Sequence, residues 1–120
     1  MGRRQHAHAA QLMALGDGRW RLAGDLTLSA VSALATKRLE PGEQQQVMLD
    51  LAGVGKPSSA GVALLLEWQA QLRADGATLV LHNVPLAMQR LAALANVDAL
   101  LGLGEQPDPA AGAADVGVRA

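Results

Sequence analysis

The chain has no cysteine, no phenylalanine and no tyrosine, and its aromatic complement is two tryptophans, Trp20 and Trp68. Without cysteine, disulfides, thiol chemistry and thiolate metal sites are excluded. The shortage of aromatics leaves a core to be built from Leu, Val, Ala and Met, and offers no platform on which bases stack, so single-stranded nucleic acid is an unsuitable ligand. Charge of one sign is also missing: 10 Lys and Arg stand against 11 Asp and Glu, for a formal charge of -1. That balance argues against a nucleic-acid protein with a broad basic face. No apolar run approaches the roughly 18 residues that span a membrane. The segment Arg3-Arg4 followed by His6 to Gln11 has the outline of a signal peptide, but two histidines and a glutamine interrupt its apolar part. Gly2 stands where a myristoylated glycine would, yet position 6 is His6 rather than Ser or Thr. A cytoplasmic protein is expected.

What is present is one domain's worth of alternating short elements. At 120 residues the chain has length for a single modest core. Gln11 to Leu15 and Arg19 to Ala23 flank the turn Gly16-Asp17-Gly18, and Trp20 and Leu22 alternate with Arg19 and Arg21. This predicts a β-hairpin with one buried face. Thr27 is a suitable N-cap for a helix through about Leu39, which Pro41-Gly42 stops. Gln46 to Leu51 reads as a central strand and Thr78 to His82 as another. Between them a long helix ends at Asp75-Gly76. Pro85 begins a third helix through about Ala95, with Leu91 and Leu94 inward, and Leu100-Leu101 is a candidate edge strand. The pattern predicts an α/β fold, a mixed four- to five-stranded sheet with helices packed on it. The expected organisation is a flexible N-terminus over 1–10, a folded domain over 11–103, and a disordered tail rich in Ala, Gly and Pro over 104–120.

The most informative stretch runs from Val47 to Leu72. A short apolar strand leads through a glycine-containing turn into Pro57-Ser58-Ser59-Ala60-Gly61 and a long apolar helix. Two hydroxyls therefore sit where the first turn of a helix leaves backbone N–H groups unpaired. Ser59 reads first as a helix cap, worth about 1 kcal/mol; the alternative is phosphorylation, which would place roughly two negative charges there. Along the helix, Gly61, Val62, Leu65 and Leu72 suit the sheet, while Ala60, Leu64 and Trp68 form a second apolar stripe at i, i+4 and i+8. A single sheet buries only one stripe. The second is either covered by a neighbouring loop or helix, or is a protein-docking surface contiguous with Ser59, with Trp68 as its anchor.

Other constellations do not amount to a catalytic site. Gly55-Lys56 has the outline of a phosphate-binding loop, but the glycine required five positions earlier is Asp50, and Pro57 follows the lysine. No acidic cluster suggests a magnesium site. His82 at a strand end reads as a capping or surface residue, and Asp50 as a turn former; no nucleophile, base and acid are spaced as a set. No enzyme, no metal and no cofactor are expected.

The series Val47-Met48-Leu49-Asp50-Leu51 with Pro57-Ser58-Ser59-Ala60-Gly61-Val62-Ala63-Leu64-Leu65-Leu66 resembles the signature of STAS domains, over about Gln11 to Leu103. Within that superfamily the helix start is most similar to the MlaB-like STAS subunits of the Mla phospholipid-transport ABC system. The resemblance implies that Ser59 falls on the phosphorylatable Ser or Thr of the family turn and Gly61 on its glycine. Ser58 stands where the family has aspartate, which removes a negative charge beside the hydroxyl and weighs against kinase-regulated signalling. It further implies a non-catalytic subunit whose Ser58, Ser59, Ala60, Leu64 and Trp68 meet the ATPase (MlaF-like) of an ABC transporter, and through it the permease complex, peripheral to the inner membrane. The alternative implied by the superfamily is an anti-sigma-factor antagonist switched at Ser59 by a serine kinase. An isolated nucleotide-binding module is a weaker third.

Overall fold

The structure, a computed structural model, describes residues 9–103. The expected flexible N-terminus, save for Ala9 and Ala10, and the expected tail from residue 104 lie outside the described residues. The elements are β1 (Gln11–Gly16), β2 (Arg19–Gly24), α1 (Leu28–Leu34), β3 (Gln46–Val54), α2 (Ser59–Ala74), β4 (Thr78–His82) and α3 (Leu86–Leu94). They form one four-stranded sheet in the order β1-β2-β3-β4.

The expected hairpin is present: β1 and β2 are antiparallel with Leu12 opposite Leu22 and Ala14 opposite Trp20, and the register shifts between Ala14 and Gly16. Asp17 and its flanking glycines adopt positive φ, as a tight connection between twisted strands requires. β3 then pairs parallel to β2, with Trp20 opposite Leu49, and β4 parallel to β3, with Leu49 opposite Leu81. Both parallel steps move the same way across the sheet. Right-handed crossovers therefore place α1 and α2 on one face.

That face is the core. Val47, Leu49 and Leu51 of β3 are fully buried, while Met48 and Asp50 between them are half-buried on the other side. The inward residues pack with Leu22, Leu26, Leu65, Met88 and Ala92. Gly61 is required where α2 passes over the β2–α1 connection: a Cβ there would lie 2.7 Å from Leu26 Cδ1 and 3.3 Å from its Cβ. α2 and α3 end alike. After α2, Ala77 N–H bonds Leu72 O at 2.8 Å and Gly76 N–H bonds Arg73 O at 3.0 Å; after α3, Val97 bonds Ala92 O at 2.9 Å and Asn96 bonds Ala93 O at 3.0 Å. Gly76 and Asn96 supply the left-handed residue that this closure needs.

Four expectations are corrected. α1 ends at Leu34 rather than Leu39, because Thr36 turns back, its Oγ1 donating to Ala33 O at 2.8 Å, and Leu39 is buried beyond the helix. Leu94 is 85% exposed, and α3 instead buries Met88 and Ala92. Leu100-Leu101 lies in a turn, not a strand, with Leu101 and Leu103 buried. Asp50 is not a turn former but sits within β3, which continues to Val54.

Asp50 ties β3 to β2 and to the residue that follows β4 on the accessible face of the sheet. Its Oδ1 accepts from Ala52 N–H at 2.9 Å and from Asn83 Nδ2 at 3.1 Å, and Arg21 Nε lies 3.8 Å from Oδ2. The Ala52 backbone bond first and Asn83 next hold its carboxyl below the usual carboxylate range; desolvation opposes them, and the charges of Arg21 and His82 add smaller pulls downward. A depressed folded-state pKa gives stability that is present above the unfolded value of ~3.9 and lost as pH falls through the folded value. Asp50→Asn is therefore expected to be less stable than the parent at neutral pH, with the difference closing in urea titrations repeated below about pH 4.

Candidate functional site

The N-terminus of α2 is built by the β3–α2 connection against the β2–α1 connection. Leu26 N–H bonds Lys56 O at 2.8 Å and Gly55 N–H bonds Gly24 O at 2.9 Å, so the two loops run side by side. Ser58 joins them: its Oγ donates to Leu26 O at 2.6 Å and accepts from Gly61 N–H at 3.0 Å. Ser58 is thus the N-cap of α2, with extended backbone, and Ser59 is the first helical residue. The expectation that Ser59 caps the helix is corrected by one position. Ser58→Ala removes a cap and leaves Leu26 O without its donor, and is expected to cost about 1–2 kcal/mol, read as a lowered urea midpoint.

Ser59 has the opposite character. It is exposed, and its hydroxyl makes no hydrogen bond among the described residues. The first intrahelical bond is that of Val62 N–H to Ser58 O at 3.1 Å, and Gly61 N–H goes to Ser58 Oγ. The N–H groups of Ser59 and Ala60 remain open beside the hydroxyl, at the positive end of a helix of 16 residues. Lys56 is exposed nearby in the connection.

Two of the three residues of the second stripe of α2, Leu64 and Trp68, are not on the surface. Trp68 is 0% exposed and Leu64 2%. Trp68 Nε1–H donates to Lys37 O at 3.1 Å, fixing the chain after α1 to the middle of α2. Of the two readings left open for this stripe, the covered one is observed: α1 and the segment after it lie over Leu64 and Trp68, and their expected role as exposed docking anchors is corrected. What the surface presents is the adjoining arc of α2. Ala60, Ala63 and Glu67, together with Val31 and Ala35 of α1 and its connection, line an open groove of about 330 Å³ with Leu64 in its floor. Leu28, one turn before Val31, is 73% exposed. Of the sequence-derived residues, Ser58, Ser59, Ala60 and Leu64 come together here; Trp68 supports them from beneath. Ala63, Val31 and Ala35 were missed as site residues, because which side of α1 meets α2 is a tertiary fact that spacing within either helix does not carry.

No group of three or more His, Asp or Glu side chains suited to a metal ion occurs among the described residues. Among them, too, no helix is long and apolar enough to cross a membrane.

A mixed four-stranded sheet with three helices packed on it is the arrangement of the STAS fold. The chain is similar to the solved structure of the anti-sigma factor antagonist SpoIIAA in its unphosphorylated form, with a TM-score of 0.56 and 16% identity, over 73% of this chain and 81% of that one. The family model described as "Mlab, STAS domain" matches residues 13–102, and the chain belongs to that family. No curated protein sequence matches it.

Proposed function

We propose that the protein is a non-catalytic STAS subunit that docks on the cytoplasmic ATPase of an ABC-type phospholipid transporter maintaining outer-membrane lipid asymmetry. The observation that supports this most directly is the apolar α1–α2 groove opening beside the exposed Ser59. The family description, MlaB-like, supports the transporter class. A groove with a floor of alanine and branched residues accepts an apolar side chain from a partner helix, and Ser59 with the open N–H groups of Ser59 and Ala60 accepts a polar or acidic group at its end. In this reading the arrangement positions a surface. Through the ATPase the subunit lies at the inner membrane with the permease complex, without spanning it.

The test is a pull-down from native cell extract with the tagged protein and its Ala63→Arg and Ser59→Glu variants, the retained proteins being identified by mass spectrometry. An ABC ATPase is expected with the parent and is lost or reduced with both variants. Equal recovery by all three removes the proposed surface.

One observation favours a second reading, that of an anti-sigma-factor antagonist. The Ser59 hydroxyl is accessible and unbonded, as a phosphate acceptor must be, and a phosphate there meets the α2 dipole favourably. Recovery of a serine kinase in the same pull-down, with stoichiometric phosphate transfer to Ser59, establishes that reading instead.

A further inference from the structure

α1 has two flanks. One borders α2 and forms the groove above; the other borders the open edge of the sheet. β1 is an end strand, paired only with β2, so one side of its backbone faces no strand among the described residues. Edge strands are ordinarily blunted with charge, proline or strong twist. β1 is Gln-Leu-Met-Ala-Leu-Gly, without a charge or a proline, and its register is regular from Gln11 to Ala14. Beside it, Ala10, Leu12, Met13, Ala30, Ala33 and Leu34 line a cleft of about 370 Å³ that ends at Lys37, within the range of roughly 300–1,000 Å³ common to ligand clefts. Lys37 has no carboxylate partner among the described residues, whereas its neighbour Arg38 is paired with Asp75 at 3.1 Å.

We propose that the β1–α1 cleft is a strand-addition site for an extended peptide segment of a partner protein, one that carries a carboxylate placed to meet Lys37. The occupant follows from the walls. A row of unpaired backbone donors and acceptors is satisfied by another extended backbone, not by a helix or a small molecule. The floor of Leu12, Ala30, Ala33 and Leu34 takes alternate side chains of that segment, which must be small or branched and apolar. The unpaired ammonium of Lys37 sets the charge of the segment. This cleft lies on the opposite flank of α1 from Val31 and Ala35, so the proposal stands independently of the ATPase-docking surface.

The test uses the full chain, isotope-labelled, and capped seven-residue peptides of alternating valine and threonine carrying one aspartate at either end. Matched peptides carry lysine instead, or have alternate backbone amides methylated. At least one aspartate peptide is expected to bind, slowing hydrogen exchange at Gln11–Gly16 amides, and to bind at least about tenfold more tightly than its lysine counterpart. The methylated peptide is expected to lose binding. Ala33→Arg, at an exposed α1 position, fills the cleft and is expected to abolish binding while leaving the thermal midpoint unchanged; Lys37→Glu is expected to reverse the charge preference. Absence of binding by every peptide overturns the proposal, as does binding indifferent to Ala33→Arg, or a peptide-free dimer whose β1 amides are already protected. Ala33→Arg still recovering the ATPase separates failure here from failure of the docking surface.

Discussion

Trp68→Ala is expected to destabilise the domain by about 3–5 kcal/mol, a large part of the roughly 5–15 kcal/mol that holds a small domain folded. The indole is 0% exposed and is the largest fully buried side chain. Its loss opens a cavity where α2 meets the chain after α1, within a core whose other members, Leu34, Leu39 and Leu72 among them, are buried too. The substitution also removes the hydrogen bond that Trp68 Nε1 donates to Lys37 O at 3.1 Å, a partly buried contact whose net contribution is about 0.5–1.5 kcal/mol. In thermal unfolding the midpoint should fall by at least roughly 12 °C for a domain of this size. Trp68→Phe separates the two contributions: it keeps most of the ring volume and removes the donor, so its loss should be well under half that of alanine. An alanine variant as stable as the parent would show that the indole is not part of the core. Trp68→Ala is thus unsuitable as a surface probe, since any loss of partner binding would follow from unfolding.

The tryptophan shows where sequence was legible and where it was not. Apolar spacing along Ser59–Ala74 identified a helix with two apolar stripes, and both exist. Periodicity reports which residues share a face but not how many neighbours the helix has. α2 packs against β4, α1 and α3, and a helix with three partners buries a wide arc; its being apolar on most sides was the available signal. The hairpin, the central strand and the end of α2 were legible because each carries local chemistry: alternation against arginines, a run of inward-facing residues, a glycine at a left-handed position. α1 was overextended because nothing in Leu34 to Leu39 marks a stop except Thr36, whose hydroxyl bonds back to Ala33 O. Ser59 was read as the cap, and Ser58 only as a second hydroxyl beside it. Their order was decided by a tertiary contact, Ser58 with Leu26 O, 32 residues away in sequence, which no local pattern contains.

With Leu64 and Trp68 inward, a specific docking variant has to sit on the arc that remains, and Ala63→Arg is expected to have the largest effect on partner binding. Ala63 is exposed and lines the groove between Ala60 and Glu67, so a long side chain there can extend into solvent in the isolated protein and leave the fold unstrained. Its helix propensity is close to that of alanine, which limits the change in stability to a few tenths of a kcal/mol. In a complex the same guanidinium occupies the groove where a partner side chain must lie, and an unpaired charge is trapped at a desolvated contact. Loss at the centre of an interface is at least about 2 kcal/mol, roughly thirtyfold in affinity. Ser59→Glu places a carboxylate at the rim, where solvent screens it, and should weaken binding less and in a salt-dependent way. Titration of the purified ATPase with the three proteins, alongside thermal midpoints, distinguishes the cases. A thirtyfold loss for Ala63→Arg at unchanged midpoint places the partner in the α1–α2 groove; unchanged affinity moves the interface elsewhere on the domain and leaves the groove without a docking role.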